Sequence, residues 1–302
     1  MKTLPFVQVD AFTETPYLGN PCVVVLDAGG LSTEQMQTIA REMNLSETAF
    51  LIRQNGNDIE ARYFTPQEEI PLAGHPTISL FQVLHNQDRL KLSDGCTQYN
   101  LHLPAGEVSI ALKIEKNGTL YTKMTQRSVQ FLREYDPEFI AQLINLDSSQ
   151  LYPDYPIQTV STGTPQLMIP LPSIDILNKV RIDPELYLQE KENSDFFSIH
   201  CFTPPGIYQE NATMARHPAV PPDYIEDPFT GSATGNMACY LYKYGLLRKN
   251  SFHAFQGHSL NRPGKAFVEV VLDGNQLHTA SIEGCAVQVL CGEILVPDPR
   301  IL

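Results

Sequence analysis

One phrase occurs twice in this chain, and the distance between its copies limits the folds open to it. Glu69-Ile70-Pro71-Leu72-Ala73-Gly74-His75-Pro76-Thr77 leads into the apolar segment Ile78-Ser79-Leu80-Phe81-Gln82-Val83-Leu84. Glu226-Asp227-Pro228-Phe229-Thr230-Gly231-Ser232-Ala233-Thr234-Gly235-Asn236 leads into Met237-Ala238-Cys239-Tyr240-Leu241-Tyr242. Glu, Pro, Gly, Thr and Leu match without a gap, positions 69, 71, 74, 77 and 84 against 226, 228, 231, 234 and 241, an offset of 157. A Phe-Thr-Pro triplet precedes both copies, at Phe64-Thr65-Pro66 and Phe202-Thr203-Pro204, but at an offset of 138, so the second half carries an insertion. Each copy reads as an apolar helix entered through a glycine turn, with backbone N–H groups gathered at its positive end. Such an end attracts an anion. The repeat predicts two related halves, each built round a buried helix.

A length of 302 residues suits two domains of about 150 residues rather than one core. The break is expected at the turn signal Lys116-Asn117-Gly118, giving an N-terminal domain 1–117 and a C-terminal domain 118–285. A net charge of −13 argues against nucleic acid and against anionic membranes, both of which recruit clustered Lys and Arg. No apolar run approaches the roughly 18 residues of a membrane span, and the N-terminus shows no leader pattern, so a cytoplasmic protein is expected. The six cysteines are scattered without a C-x-x-C pair and read as free, largely buried thiols. The eight histidines form no metal-ligand pattern, so no metal is expected.

Residues 4–12 alternate as a strand, turn residues follow from Thr13 to Pro21, and Cys22-Val23-Val24-Val25-Leu26 forms the next strand. Ser32 and Gln35 make a capping box for an amphipathic helix carrying Met36, Ile39, Ala40 and Met43. Strands follow at 45–52 and around Ile59, Ala61 and Tyr63; then comes the first buried helix, from about His75 to Leu84. Strands over 99–103 and 108–114 complete that half, and a strand-like run over 119–124 follows the break. The second half predicts a helix from Asp136-Pro137, strands at 156–162, 166–171 and 195–202, and short helices from Ser173 and Asp183. A Pro-rich loop from Thr203 to Asp223 then delivers the second buried helix, before strands at 265–272, 276–283 and 286–295. A helix apolar on nearly all sides needs strands all round it, so the class is α+β, two similar domains each a curved sheet wrapped round a central helix.

Gly74-His75 and Gly231-Ser232 each put a polar side chain and amides at a helix entrance, although His75 could be satisfied by backbone and Ser232 could be a plain N-cap. Asp227 replaces apolar Ile70 of the first copy, which suits contact with one end of a substrate, or simply turn formation before Pro228. Glu47 is either a surface carboxylate at a strand edge or, beside Leu45, Ala49 and Phe50, a partly desolvated one suited to proton transfer.

Taken together, these residues resemble the PhzF family, phenazine-biosynthesis isomerase-like proteins with the diaminopimelate epimerase fold. The likeness rests on Asp10-Ala11-Phe12-Thr13, Gly19-Asn20-Pro21, Asn44 through Phe50, Arg62 through Pro66, Glu69 through Thr77, Glu226 through Ala233, Gln256-Gly257 and Arg262-Pro263-Gly264. Asn261 stands where relatives often carry Gly. The resemblance implies an active site in a cleft between the two domains, a last strand, 286–302, joining the N-terminal domain, and a homodimer. It implies Glu47 as the proton-transfer residue, His75 and Asp227 as its catalytic companions, and Gly74, Gly231 and Ser232 at the substrate. No cofactor is implied. Related racemases place a cysteine at each of these helix entrances, and neither entrance here has one.

The expected function is a cofactor-independent isomerase moving a proton within a small carboxylated metabolite. The alternatives are a two-base amino-acid epimerase and a non-catalytic metabolite-binding protein of the same fold.

Overall fold

The computed structural model describes residues 2–93, 95–221 and 225–298. Asp223, at the end of the predicted Pro-rich loop, and 299–302, in the predicted last segment, lie outside them. The chain divides into two compact units, one holding the residues up to Thr125 and again from Glu283, the other Gln126–Ile282.

The first unit begins with β1 (Thr3–Ala11) and β2 (Asn20–Val25), followed by α1 (Thr33–Met43) and β3 (Glu47–Asn55). Then come β4 (Asp58–Phe64), the two-residue β5 (Glu69–Ile70) and α2 (Gly74–Asn86). β6 (Cys96–Leu103), β7 (Gly106–Ile114) and β8 (Leu120–Thr125) follow. From β1 the ladder runs β1–β2 antiparallel, β2–β3 parallel, β3–β4 antiparallel, β4–β6 parallel, then β6–β7 and β7–β8 antiparallel. The chain's last strand, Ala286–Leu295, pairs antiparallel with the other edge of β1.

Two cores flank that sheet. On one face α1, held by the Ser32–Gln35 capping box, lays Met36, Ile39 and Ala40 against Phe50 and Phe64. On the other, α2 touches β1, β2, β3, β8 and the last strand. Its residues from Gly74 to Leu84 are all buried, which is why it could not be amphipathic. Leu80, Phe81, Val83 and Leu84 are each fully inaccessible, worth about 1.5–3 kcal/mol apiece in transfer from water.

The second unit holds β9 (Gln130–Tyr135), α3 (Pro137–Leu143), β10 (Ile157–Ser161) and β11 (Pro165–Pro170). After α4 (Ile174–Lys179) and α5 (Pro184–Lys191) come β12 (Ser198–Thr203) and β13 (Ala212–Arg216). α6 (Gly231–Lys243), β14 (Ser251–Gln256), β15 (Gly264–Asp273) and β16 (Gln276–Gly284) finish it. β9 pairs antiparallel with β10. From β10 the ladder runs antiparallel to β11, parallel to β12, antiparallel to β13, parallel to β14 and antiparallel to β15. That alternation is the same as along β1–β2–β3–β4–β6–β7. α6 packs on β10, β11 and β15, and α3 to α5 cover the other face through Ile140, Leu143, Leu177 and Tyr187.

Three local readings change. Asn117-Gly118 is the turn of the β7–β8 hairpin, closed by Gly118 N–H donating to Glu115 O, and so lies inside the first unit. A hairpin turn and an interdomain turn use the same residues, and only the pairing partner tells them apart. β13 lies within the Pro-rich loop, and β9 and β14 also form where no strand is expected. Cys96 and Cys291 are exposed, while the other four thiols are buried.

Candidate active site

The entrance of α2 is set by the strand that precedes it. β4 and β5 pair Tyr63 with Ile70, and Arg62 grips Glu69 with two parallel bonds, Nε to Oε1 at 2.7 Å and Nη2 to Oε2 at 2.6 Å. Five residues later α2 begins at Gly74, with extended Ala73 as its N-cap and no side chain capping it. His75, the second helical residue, is buried, with Nε2 3.0 Å from Glu47 Oε2 and Nδ1 3.2 Å from Asn20 Nδ2. In the neutral ring Asn20 donates to Nδ1 and the proton sits on Nε2; in the imidazolium both nitrogens carry one. Nε2 lies within ion-pair distance of Glu47 but not in line for a hydrogen bond, and an imidazolium needs Asn20 to turn Oδ1 rather than Nδ2 toward Nδ1.

Glu47 opens β3, with Cys22 of β2 opposite it in the parallel register. Strand alternation sends Glu47 and Ala49 to the α2 side and Phe50 to the α1 core, where Leu45 also packs. Leu45 and Phe50 therefore do not desolvate the carboxylate as expected; its close neighbour is His75. Burial pushes the His75 pKa down, but the Glu47 carboxylate, with Cys22 beside the ring, lifts it well above the ordinary histidine range. The side-chain exposure of 18% leaves Glu47 open to a reactant.

The α6 entrance repeats the frame with other chemistry. Arg216, next to His217, which bridges to Asp227, grips Glu226 through Nε to Oε1 at 3.0 Å and Nη2 to Oε2 at 2.6 Å. Arg216 Nη1 also donates to the carbonyls of Leu177 and Val180 near the end of α4. Asp227 Oδ2 accepts from Thr230 Oγ1 at 2.5 Å, and Gln256 donates to Asp227 O at 2.7 Å while accepting from Thr230 N–H at 3.2 Å. Thr230 is the N-cap and makes no side-chain cap bond, so Ser232 is not the N-cap but the second residue of the helix, half-buried, like His75 in α2. Gln166 Nε2 donates to Ser232 Oγ at 3.0 Å.

Gly235 has no Cβ because one would collide with the Gln126 carboxamide. Gly257, at φ +86°, leaves no room for one between Arg262 O and Pro228 O. Asn261 adopts φ +55°, a left-handed conformation that Gly or Asn takes readily, so its departure from the expected Gly costs the loop little.

The other four α-helices among the described residues have a Ser or Asp side chain accepting from the first turn: Ser32, Asp136, Ser173 and Asp183. α2 and α6 have none. A buried helix whose first amides are left to no side chain is suited to receive an anion. Of the residues expected from the sequence, Glu47, Gly74 and His75 lie at the α2 entrance and Asp227, Gly231 and Ser232 at the α6 entrance; Asn20, Cys22, Thr230, Gln166 and Gln256, not singled out in the sequence, lie against them. Asn20, Thr230 and Gln256 lie within motifs of the family resemblance, which is their one signal, and Cys22 and Gln166 have none. Among the described residues no cluster could hold a metal ion, and no helix is long and apolar enough to cross a membrane.

A strand ladder packed on a buried helix in each unit places the chain among proteins of the diaminopimelate epimerase fold. The family model for phenazine biosynthesis-like protein, PhzC-PhzF, matches residues 9–292. The chain belongs to the PhzF family. An uncharacterized isomerase of Bacillus subtilis, YfhB, is 31% identical over 89% of this chain and 92% of its own length. The trans-2,3-dihydro-3-hydroxyanthranilate isomerase of Pseudomonas fluorescens is 30% identical over 96% of this chain and 99% of that protein. The crystal structure of a Bacillus anthracis phenazine biosynthesis protein of the PhzF family superposes with a TM-score of 0.87 at 31% identity, covering 98% of this chain and all of the other. A hydroxyproline epimerase from Agrobacterium vitis shares the fold, with a TM-score of 0.66 at 10% identity over 99% of this chain and 94% of its own.

Proposed function

We propose that this chain is a cofactor-independent isomerase that moves a proton within a small carboxylated metabolite, with Glu47 taking the proton and giving it back. The observation that carries the reading is the Glu47–His75 pair at 3.0 Å, placed at a helix start that no side chain caps. On that proposal the Glu47 carboxylate acts as the base, and the neighbouring His75 Nε2 steadies it when it must return the proton as an acid. In this reading the Gly231 and Ser232 amides, with the Ser232 hydroxyl, hold the substrate carboxylate, and Gly74 serves the same end at α2. Asp227, fixed by Thr230 and Gln256, takes a polar substituent of the substrate, with His75 orienting it. One carboxylate performs both proton transfers, so no cofactor enters the scheme. Charge and lack of basic clusters support a small-molecule partner in the cytoplasm, and the family supports a homodimer.

The related isomerase from Pseudomonas fluorescens supports a cyclic amino acid-like carboxylate as the class of substrate. The test is a thermal-shift screen of carboxylated metabolites, in which a ligand at 100 times its dissociation constant stabilises by about 2.7 kcal/mol. Each hit is then incubated in deuterated water. Carbon-bound deuterium or an isomer is the expected result; tight binding with neither would leave a binding protein instead.

A further inference from the structure

Behind the α6 entrance, buried side chains form a chain of hydrogen bonds whose direction can be read from one backbone group. The carbonyl of Thr164 can only accept, so Asn236 must turn its Nδ2 toward it, at 2.9 Å. Thr162 Oγ1 lies 2.7 Å from Asn236 Oδ1 and also faces Gln126 Oε1, so its one hydrogen serves one of these two acceptors and the Thr164 carbonyl alone sets the orientation of Asn236. The second hydrogen on Asn236 Nδ2 points at Gln166, whose facing atom must therefore be Oε1. Gln166 is left with Nε2 toward Ser232, 3.0 Å from Oγ. Asn236 and Gln166 are 0% and 2% exposed, so solvent does not compete for these bonds. Gln126 Nε2 closes the back of the array by donating to Gly231 O at 2.9 Å, in the room left by Gly235.

The consequence falls on Ser232. A hydroxyl that already accepts from Gln166 has its one hydrogen available for another partner, and that partner must be an acceptor. We propose that Gln166 is a positioning residue that fixes Ser232 as a donor and thereby makes the α6 entrance selective for a carboxylate over an uncharged amide. The inference rests on the placement of the substrate carboxylate at Ser232 argued above. A carboxylate only accepts, and meets the hydroxyl and the helix amides without conflict. A carboxamide that turns its NH2 inward meets donors with a donor, and the unpaired groups count against it.

Calorimetry with two stable probes, anthranilate and anthranilamide, tests this on the wild type and on Gln166→Glu, Gln166→Met and Ser232→Ala. The quantity read is the ratio of the two dissociation constants, which a loss of folded protein does not change. The wild type is expected to favour anthranilate by about 100-fold, the order of discrimination that a hydrogen-bonding site exerts against a mismatched group. In Gln166→Glu the carboxylate accepts the Ser232 hydrogen and repels the anion, so the preference should vanish or reverse. Gln166→Met frees the hydroxyl to rotate and should narrow the ratio to about 10-fold. If Ser232→Ala narrows the ratio while both Gln166 variants keep it, Gln166 has no such role and the placement of the carboxylate stands. If Ser232→Ala keeps it too, that placement is wrong and the proposal falls with it. A wild type with no preference, including one that binds neither probe, also overturns the proposal.

Discussion

The two units use one frame for two chemistries. In the first, the parallel register sets Cys22 against Glu47, and His75 opens the enclosed helix. In the second, the corresponding parallel pair sets Gln166 against Ser198, and Ser232 occupies the second helical position. Where one unit has a thiol, a carboxylate and an imidazole, the other has an amide and two hydroxyls. The Arg–Glu grip ahead of each helix is kept, Arg62–Glu69 and Arg216–Glu226, with the same step of register beside it: Tyr63 against Ile70, His217 against Asp227. What the repeat preserves is the geometry of the entrance, and what it varies is the chemistry set on it, Glu47 and His75 at α2 against Asp227 and Ser232 at α6. A two-base epimerase needs a proton-transfer group on each unit. Ser198 and Ser232 do not supply one, so in the second unit it would have to come from Asp227 or His217.

The largest way to break this contrast is Glu47→Gln. It keeps the shape and much of the hydrogen bonding but removes the proposed base, and should lower turnover of an identified substrate by roughly 10²–10⁴-fold with binding retained. Near-normal isomerisation or deuterium exchange by this variant would end the shuttle assignment and move attention to His75. Ser232→Ala and Asp227→Asn should weaken kcat/KM by about 10- to 100-fold, with a rise in KM, because their proposed work is holding. A fall in kcat alone, at unchanged KM, would place them in the proton transfer instead.

A third comparison sets the two grips against each other in stability. The Arg216–Glu226 side chains are 9% and 12% exposed, against 26% and 27% for Arg62–Glu69. Removing one partner of a buried pair leaves the other charge without compensation, so Glu226→Gln should cost about 3–5 kcal/mol. The better-hydrated pair should lose about 1 kcal/mol on Glu69→Gln. Equal losses in urea titrations would show that burial is not what separates the two.

How much of this could be read beforehand follows from the range of each interaction. The buried helices and their glycine entrances were plain because apolar runs, turns and the 157-residue offset are local facts, and the caps Ser32, Asp136, Ser173 and Asp183 were legible for the same reason. β13 was hidden because Pro-rich flanks mask five residues that become a strand only by pairing with β12 and β14. Glu47 was singled out, yet its neighbours were misjudged: adjacency along a strand puts Phe50 on the opposite face, and His75 reaches it from 28 positions away. Gln166 carried no signal at all, since an amide in an apolar strand acquires meaning only when Asn236 and Ser232 close on it.

The last contrast is a pH dependence with opposite signs in the two units. His75 has a raised pKa, despite burial, because of Glu47 and Cys22, so the folded chain keeps a proton that the unfolded chain releases above about 6.5. Its stabilisation is full below that value and is lost as pH rises through the folded pKa. His200 and His217 behave the other way. Their Nδ1 atoms lie 3.3 Å apart, and burial lowers both, with the charge of His217 adding to the effect on His200 and Asp227 and Glu226 partly opposing it on His217. Below about 6.5 the unfolded chain binds protons that these two refuse when folded, so acid destabilises the second unit. Each proton of difference changes stability by about 1.4 kcal/mol per pH unit. Urea denaturation from about pH 5 to 9 should therefore show His75→Asn flattening the alkaline slope and His200→Asn flattening the acid one. If His75→Asn instead flattened the acid limb, the ring would be neutral in the folded chain, and Glu47 would have no imidazolium beside it.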